Sequence, residues 1–271
     1  MKLAKELNYA SLAWNDKDGK HFLLSLRTQC LPNLVVLNLC HNNLGVDFCR
    51  ELVRTQIHQH CSSLCALHLG GNPLIGDEGV AILVPLLFLP DFLEEVKLSK
   101  VSLSVRGCHA LAGCANRRRI IIITQRDREV GTSRRLTCLE LGGGDMIGDE
   151  GLSILAPSVL ASLRTVSLTN MGLTDAGCQI LANIADGALP GANTSSRQQV
   201  AWERLDLYSN NIKTASALER IIDRVASLKH VTVLFNPVYQ DGKAKILEQK
   251  LQVRQNKKFN LLNQLPANGR P

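Results

Sequence analysis

The sequence predicts an α/β fold built of stacked repeats, and three observations carry that expectation. First, Leu34, Leu37, Leu39, Asn42 and Leu44 stand in an L-x-x-L-x-L-x-x-N-x-L frame, which returns at Leu64, Leu67, Leu69, Asn72 and Leu74 and at Trp202, Leu205, Leu207, Asn210 and Ile212. Second, most copies start 26–30 residues apart. Third, each frame is followed by apolar residues three and four apart, the period of a helix lying on one face. A strand-plus-helix unit this short cannot bury its apolar side alone, so it must stack on its neighbours.

Frame starts fall at Ala4, Leu34, Leu64, Leu93, Leu136, Leu163, Trp202 and Leu228, about eight repeats within residues 1–252. The spacings are 30, 30, 29, 43, 27, 39 and 26, and the two long ones place insertions near 117–135 and 186–200. In the first half of each unit, apolar and polar residues alternate as in a strand. Asn42, Asn72, Asn210 and Asn236 follow in one slot, where an amide that both donates and accepts supports the turning backbone. Leu12, Val101, Gly144 and Met171 fill that slot elsewhere and break the row. In the second half, Gly76-Asp77-Glu78-Gly79 and Gly148-Asp149-Glu150-Gly151 are near copies, and Leu173-Thr174-Asp175 is a looser one. Acidic residues opening a helix suit its unpaired N–H groups. Recurrence in several units favours this capping role over a metal-binding or catalytic one. Residues 242–256 form a terminal helix in this reading, and 253–271 a basic tail.

These residues resemble the ribonuclease-inhibitor-like class of leucine-rich repeats over roughly residues 4–252. The resemblance implies a horseshoe solenoid with parallel strands on the concave side and helices on the convex side. In that geometry Asn8, Asn38, His68, Lys97, Glu140, Ser167, Asp206 and Thr232 point from the concave face. The class includes ribonuclease inhibitor, the Ran GTPase-activating protein, tropomodulins, sensor regions of NOD-like receptors and ciliary subunits. Most bind proteins.

Composition narrows the function classes. Hydrophobic residues make up 45% of the 271-residue chain and aromatics only 4%, as thin layers of Leu, Ile and Val require. No run of about 18 apolar residues is present, so no membrane span is expected. The first residues lack an apolar signal core and an acid-free, arginine-rich presequence. Nine cysteines without a secretory signal read as reduced thiols in an intracellular, cytoplasmic protein. Cys49, Cys108 and Cys178 fall on the helix slot of Val80 and Leu152 and read as core filler. Cys30 and Cys61 read as small residues tucked into turns. His58, His60, Cys61, Cys65 and His68 are zinc-ligating types, but the alternating strand sets Leu64 and Leu67 between them, and no metal or cofactor is expected.

The net charge of +7 is concentrated. Arg117, Arg118 and Arg119 open the first insertion, and Lys250, Arg254, Lys257 and Lys258 lie near the C-terminal end. Such zones suit acidic partners, for example a tubulin-like surface. Nucleic acid is less favoured because aromatic side chains do not alternate with the basic ones. Tyr208 and Phe235, beside Asp206, add the aromatic anchors usual in protein interfaces. The sequence therefore reads as a non-catalytic interaction scaffold in a cytoskeletal, ciliary or flagellar assembly, with Asp206, Tyr208, Phe235, Lys97, His68, Arg117, Arg118 and Arg119 as contact residues. Two alternatives stand beside it: a GTPase activator using Arg106 in a strand-to-helix loop, and a ribonucleoprotein-associated subunit.

Overall fold

A computed structural model describes residues 4–88, 92–113, 136–143, 147–156, 159–187, 200–240, 247 and 249–253. Each frame supplies one short strand: β1 (Glu6–Asn8), β2 (Val36–Asn38), β3 (Ala66–His68), β4 (Glu95–Lys97), β5 (Cys138–Gly142), β6 (Thr165–Thr169), β7 (Arg204–Asp206) and β8 (His230–Thr232). They form one sheet in chain order. Neighbours are all parallel, and the third residue of each frame stands beside the third residue of the next. The frame starts read from the sequence therefore give the strand register without a slip.

The opposite layer holds α1 (Asp16–Thr28), α2 (Val46–Arg54), α3 (Ile57–His60), α4 (Gly76–Leu87), α5 (105–113), α6 (Gly148–Leu155), α7 (Asp175–Ala185), α8 (Ser216–Arg224) and α9 (Pro237–Gln240). The chain begins α1 with a reciprocal cap, in which Asn15 accepts from the Lys17 N–H and Asp18 accepts from the Asn15 N–H. Side chains at helical spacing, such as Val80, Leu83, Val84 and Leu87, turn inward against Leu37, Leu67 and Val96 from the strands, all nearly or fully buried. Each fully buried leucine contributes about 2 kcal/mol of transfer free energy. Cys49, Cys108 and Cys178 are buried in this layer as the sequence indicates. Of the terminal helix expected over 242–256, residues 247 and 249–253 are helical, with Leu247 and Leu251 buried, and the rest lies outside the described residues. Among the described residues, no helix is long and apolar enough to cross a membrane.

Two rows of bonds join the repeats beyond the strands. The eighth residue of every frame is left-handed: Ser11, His41, Gly71, Lys100, Gly143, Asn170, Ser209 and Phe235 have φ between 50° and 74°. In the first seven, the N–H donates to the next repeat, for example His41 to the Gly70 carbonyl at 2.8 Å and Ser209 to the Leu234 carbonyl at 2.9 Å. The left-handed turn thus continues the ladder where the strand ends. Glycine is needed at two of these positions. A Cβ on Gly71 would lie 2.5 Å from the His41 ring, and one on Gly143 would lie 2.3 Å from Lys100.

The ninth residue carries the asparagines. Asn72 is fully buried. Its amide N–H groups donate to the Leu39 and Leu69 carbonyls, and its oxygen accepts from the Leu44 N–H. Two of these three partners belong to the preceding repeat. Asn42, Asn210 and Asn236 make the same backward bonds. Val101 and Met171 occupy the slot as buried apolar side chains instead.

The helix-opening aspartates act in the other direction. Asp77 accepts from the Ser104 and Gly107 N–H groups, Asp149 from Thr174 N–H, and Asp175 from Lys213 and Thr214 N–H. Each therefore caps the entrance to the next helix rather than its own. Spacing alone cannot reveal this, because helix N-termini stack side by side and a carboxylate opening one helix can turn toward the next.

The structure corrects two further readings. Leu74 is 62% exposed and Ile75 fills the core. Gly76, the first residue of α4, adopts φ +57° and donates its N–H to the Val101 carbonyl, and Ile75 before it turns inward in place of Leu74. Cys30 is exposed, while Cys61 in the matching turn is buried.

Candidate binding face

The third, fifth and seventh residues of each frame project from the sheet on the side away from the helices. The register sets His68, Lys97, Glu140, Ser167 and Asp206 in one row across β3 to β7. Two groups of side chains stand on this face.

The central group is self-paired. His68 Nε2 lies 2.9 Å from Glu95 Oε1, and Lys97 Nζ lies 3.4 Å from Glu95 and 3.9 Å from Glu140. Ser99 donates to Glu140 at 2.8 Å. Burial, with Lys97 nearby, pulls His68 below its usual value despite Glu95. A neutral imidazole with its proton on Nε2 satisfies the 2.9 Å contact as a donor to the carboxylate. Half-exposed pairs of this kind contribute about 0–1 kcal/mol each, so they order the surface more than they stabilise it. Cys138 flanks the group, and burial pushes its thiol up to about 11. Glu95, in the third position of its frame, is absent from the contact residues read from sequence. The signal that would have found it is the strand period, which puts third and fifth residues on one face.

The second group lies at β7 and β8. Tyr208 and Leu234 are seventh residues of adjacent frames and Phe235 follows in the left-handed slot. They are 40%, 38% and 70% exposed. The Tyr208 and Phe235 rings meet edge to face with centroids 5.0 Å apart. Asp206 accepts the Tyr208 N–H at 3.0 Å. Burial, with Glu140 adding to it, pushes this carboxyl above the usual aspartate value, against the opposing pull of the Tyr208 bond and Arg204. Among the described residues Asp206 forms no ion pair. The structure thus brings His68 and Lys97 into one group and Asp206, Tyr208 and Phe235 into another.

Other sequence-derived candidates fall elsewhere. Arg117, Arg118 and Arg119 lie outside the described residues, as does nearly all of the second insertion. Arg106 is in the first turn of α5, not in the loop before it, so its side chain leaves a helix surface. His58 and His60 sit on α3, with His58 packed edge-on against Phe92, away from His68 on β3. Among the described residues no three His, Cys, Asp or Glu side chains are grouped as a metal would require.

Comparisons with known proteins agree with this geometry. The family described as Leucine Rich repeat matches residues 60–83 and 132–156. Pig ribonuclease inhibitor is 30% identical over 161 residues, which cover 58% of this chain and 29% of the inhibitor. A chain in the crystal structure of the yeast Rad7 and Elc1 complex superposes with a TM-score of 0.55 at 18% identity, over 85% of this chain and 50% of that one. At that identity the likeness is one of fold. The chain spans half or less of either relative.

Proposed function

We propose that this chain, whose repeats resemble the ribonuclease-inhibitor-like kind, is a non-catalytic protein-binding scaffold within a larger assembly. The partner sits on the strand face, from His68 and Lys97 to Asp206, Tyr208 and Phe235. One observation carries this reading: a continuous row of ordered polar side chains ends in three exposed apolar ones, two of them aromatic. Interfaces concentrate their energy in such aromatic anchors beside polar contacts.

Affinity capture from native cells tests it. The intact chain should retain a defined set of proteins. A variant with His68, Lys97, Asp206, Tyr208 and Phe235 all changed to Ala should lose them while keeping its circular dichroism. Undiminished capture by that variant would remove the strand face from the proposal.

A finer reading concerns the assembly. The basic zones at Arg117–Arg119 and toward the C-terminal end suit an acidic surface such as tubulin, which would place the chain in the cytoplasm on a cytoskeletal, ciliary or flagellar structure. Co-sedimentation with microtubules at about 0.15 M salt, where long-range attraction between exposed charges is largely screened, separates this from loose charge attraction. Absence of the chain from the pellet at that salt rejects the finer reading alone.

A further inference from the structure

We propose that the β7–β8 end of the strand face is a receptor for one cationic side chain of a partner, an arginine or lysine flanked by aliphatic residues on an extended segment. The inference rests on the binding-face reading above and adds the chemistry of the partner.

Four observations converge. Asp206 is a half-buried carboxylate with no ion pair among the described residues, and its one hydrogen bond comes from a backbone N–H. Glu140, the next carboxylate along the fifth-residue row, lies two strands away and already faces Lys97 and Ser99, which leaves Asp206 as the carboxylate of the row open to an incoming cation. Arg204, two residues before Asp206 on the same side, is the nearest opposing charge, but it is exposed and forms no ion pair with Asp206 among the described residues. A partner cation at van der Waals contact with the carboxylate would therefore not have to displace an existing pair.

The flanking surface is suited to the rest of such a segment. Tyr208, whose backbone N–H bonds the carboxylate, and Phe235, packed against the Tyr208 ring, expose aromatic surface at the same end of the face, and aromatic rings attract cations through their electron-rich faces. Leu234 offers apolar area for a neighbouring aliphatic side chain.

The backbone of Phe235 is the fourth observation. It holds φ +59°, a conformation that disfavours a large side chain. In the same slot of other repeats stand Gly71, Gly143, Asn170, two serines, His41 and Lys100, so Phe235 is the one apolar side chain held there. The strained aromatic gains only the edge contact with Tyr208 inside the molecule and is 70% exposed. Backbone strain persisting at an exposed side chain points to use of that side chain in binding.

Fluorescence anisotropy with labelled peptides tests the inference. The probes are three flexible Gly/Ser peptides that differ only in a central Leu-Arg-Leu, Leu-Gln-Leu or Leu-Glu-Leu. The intact chain should bind the arginine peptide about tenfold or more tighter than the glutamine one, the range for a charge-assisted contact, and the glutamate peptide most weakly. Asp206→Asn should abolish the preference between arginine and glutamine, while Phe235→Gly should weaken both. Equal binding of the arginine and glutamine peptides, a preference that survives Asp206→Asn, or no binding of any probe overturns the inference. If the peptides show no preference but the fivefold alanine variant still loses its captured proteins, only the cationic receptor fails and the binding face stands. If the preference is present but capture is unchanged by the fivefold variant, the broader reading fails instead.

Discussion

The third and eighth repeats have the same backbone and different surfaces. Both turn through a left-handed residue at the eighth position, and both follow it with a fully buried asparagine that bonds the preceding repeat. In the third repeat the left-handed residue is Gly71, under the His41 ring; in the eighth it is Phe235, facing outward. The inward half of the unit is set by hydrogen-bond accounting, since any buried N–H or carbonyl must find a partner. The outward half is free to vary: the same left-handed slot carries glycine, serine, asparagine, histidine or lysine in the other repeats, and an exposed apolar ring in the eighth. Regularity therefore marks what holds the solenoid together, and the departure marks the surface proposed to meet a partner.

Four tests, made with six substitutions, would break or sharpen this contrast. The largest effect belongs to the shared interior. Asn72→Ala strands the Leu44 N–H and the Leu39 and Leu69 carbonyls, and should cost about 3 kcal/mol in urea unfolding. Asn236→Ala should cost a comparable amount, and a much smaller loss in either would show that the two repeats are not equivalent inside. Next comes the left-handed slot itself. Gly71→Ala adds a Cβ 2.5 Å from His41 and a backbone penalty, together about 2 kcal/mol.

The same slot in the eighth repeat should respond with the opposite sign. Phe235→Gly relieves the left-handed strain and loses one edge-to-face contact, for a net gain of up to about 1 kcal/mol in the same assay. If it destabilises the fold instead, Phe235 is a structural residue and the contrast is gone.

The smallest effect is a pH dependence. The folded-state value of Asp206 is raised, so its ionised form is disfavoured by folding. That cost is absent below the ordinary aspartate value and appears as pH rises through the raised one. Asp206→Asn should therefore stabilise slightly near neutrality, and the gain over the unmodified chain should vanish in acid. Asp175 provides the control of opposite sign. Burial pushes it up, but the Thr214 and Lys213 N–H bonds outweigh this and hold it below its usual value, so its contribution is present above the ordinary value and fades as pH falls. Thermal melts of Asp206→Asn and Asp175→Asn across pH 3–7 would separate the two.

The strand register was legible because the apolar frame has no ambiguity. A one-residue slip would turn Leu37, Leu67 and Leu205 to solvent. The fifth-residue row was legible for the same reason. What the frame does not encode is contact between repeats. Nothing in the spacing of Asp77 tells that its carboxylate serves Ser104 rather than its own helix. The exchange of Leu74 for Ile75 occurs where Gly76 takes φ +57°, a conformation that an apolar frame does not encode. In the central group, Glu95 is a third residue of its frame, whereas the contact residues expected from the strands are fifth residues and those just beyond them. The asymmetry of the face, self-paired at His68 and Lys97 and unpaired at Asp206, depends on side-chain distances.

The bonds that cross between repeats also have a mechanical consequence. Among the described residues, the links from the strands, the left-handed residues, the asparagines and the aspartates run to the adjacent unit. A force along the axis of the solenoid is therefore borne in series, and the weakest junction would part first while the others stay closed. A partner lying across several strands bears on many junctions at once. Tension from an attached assembly and compression from a bound partner would thus act on the same molecule very differently, the first peeling it and the second clamping it.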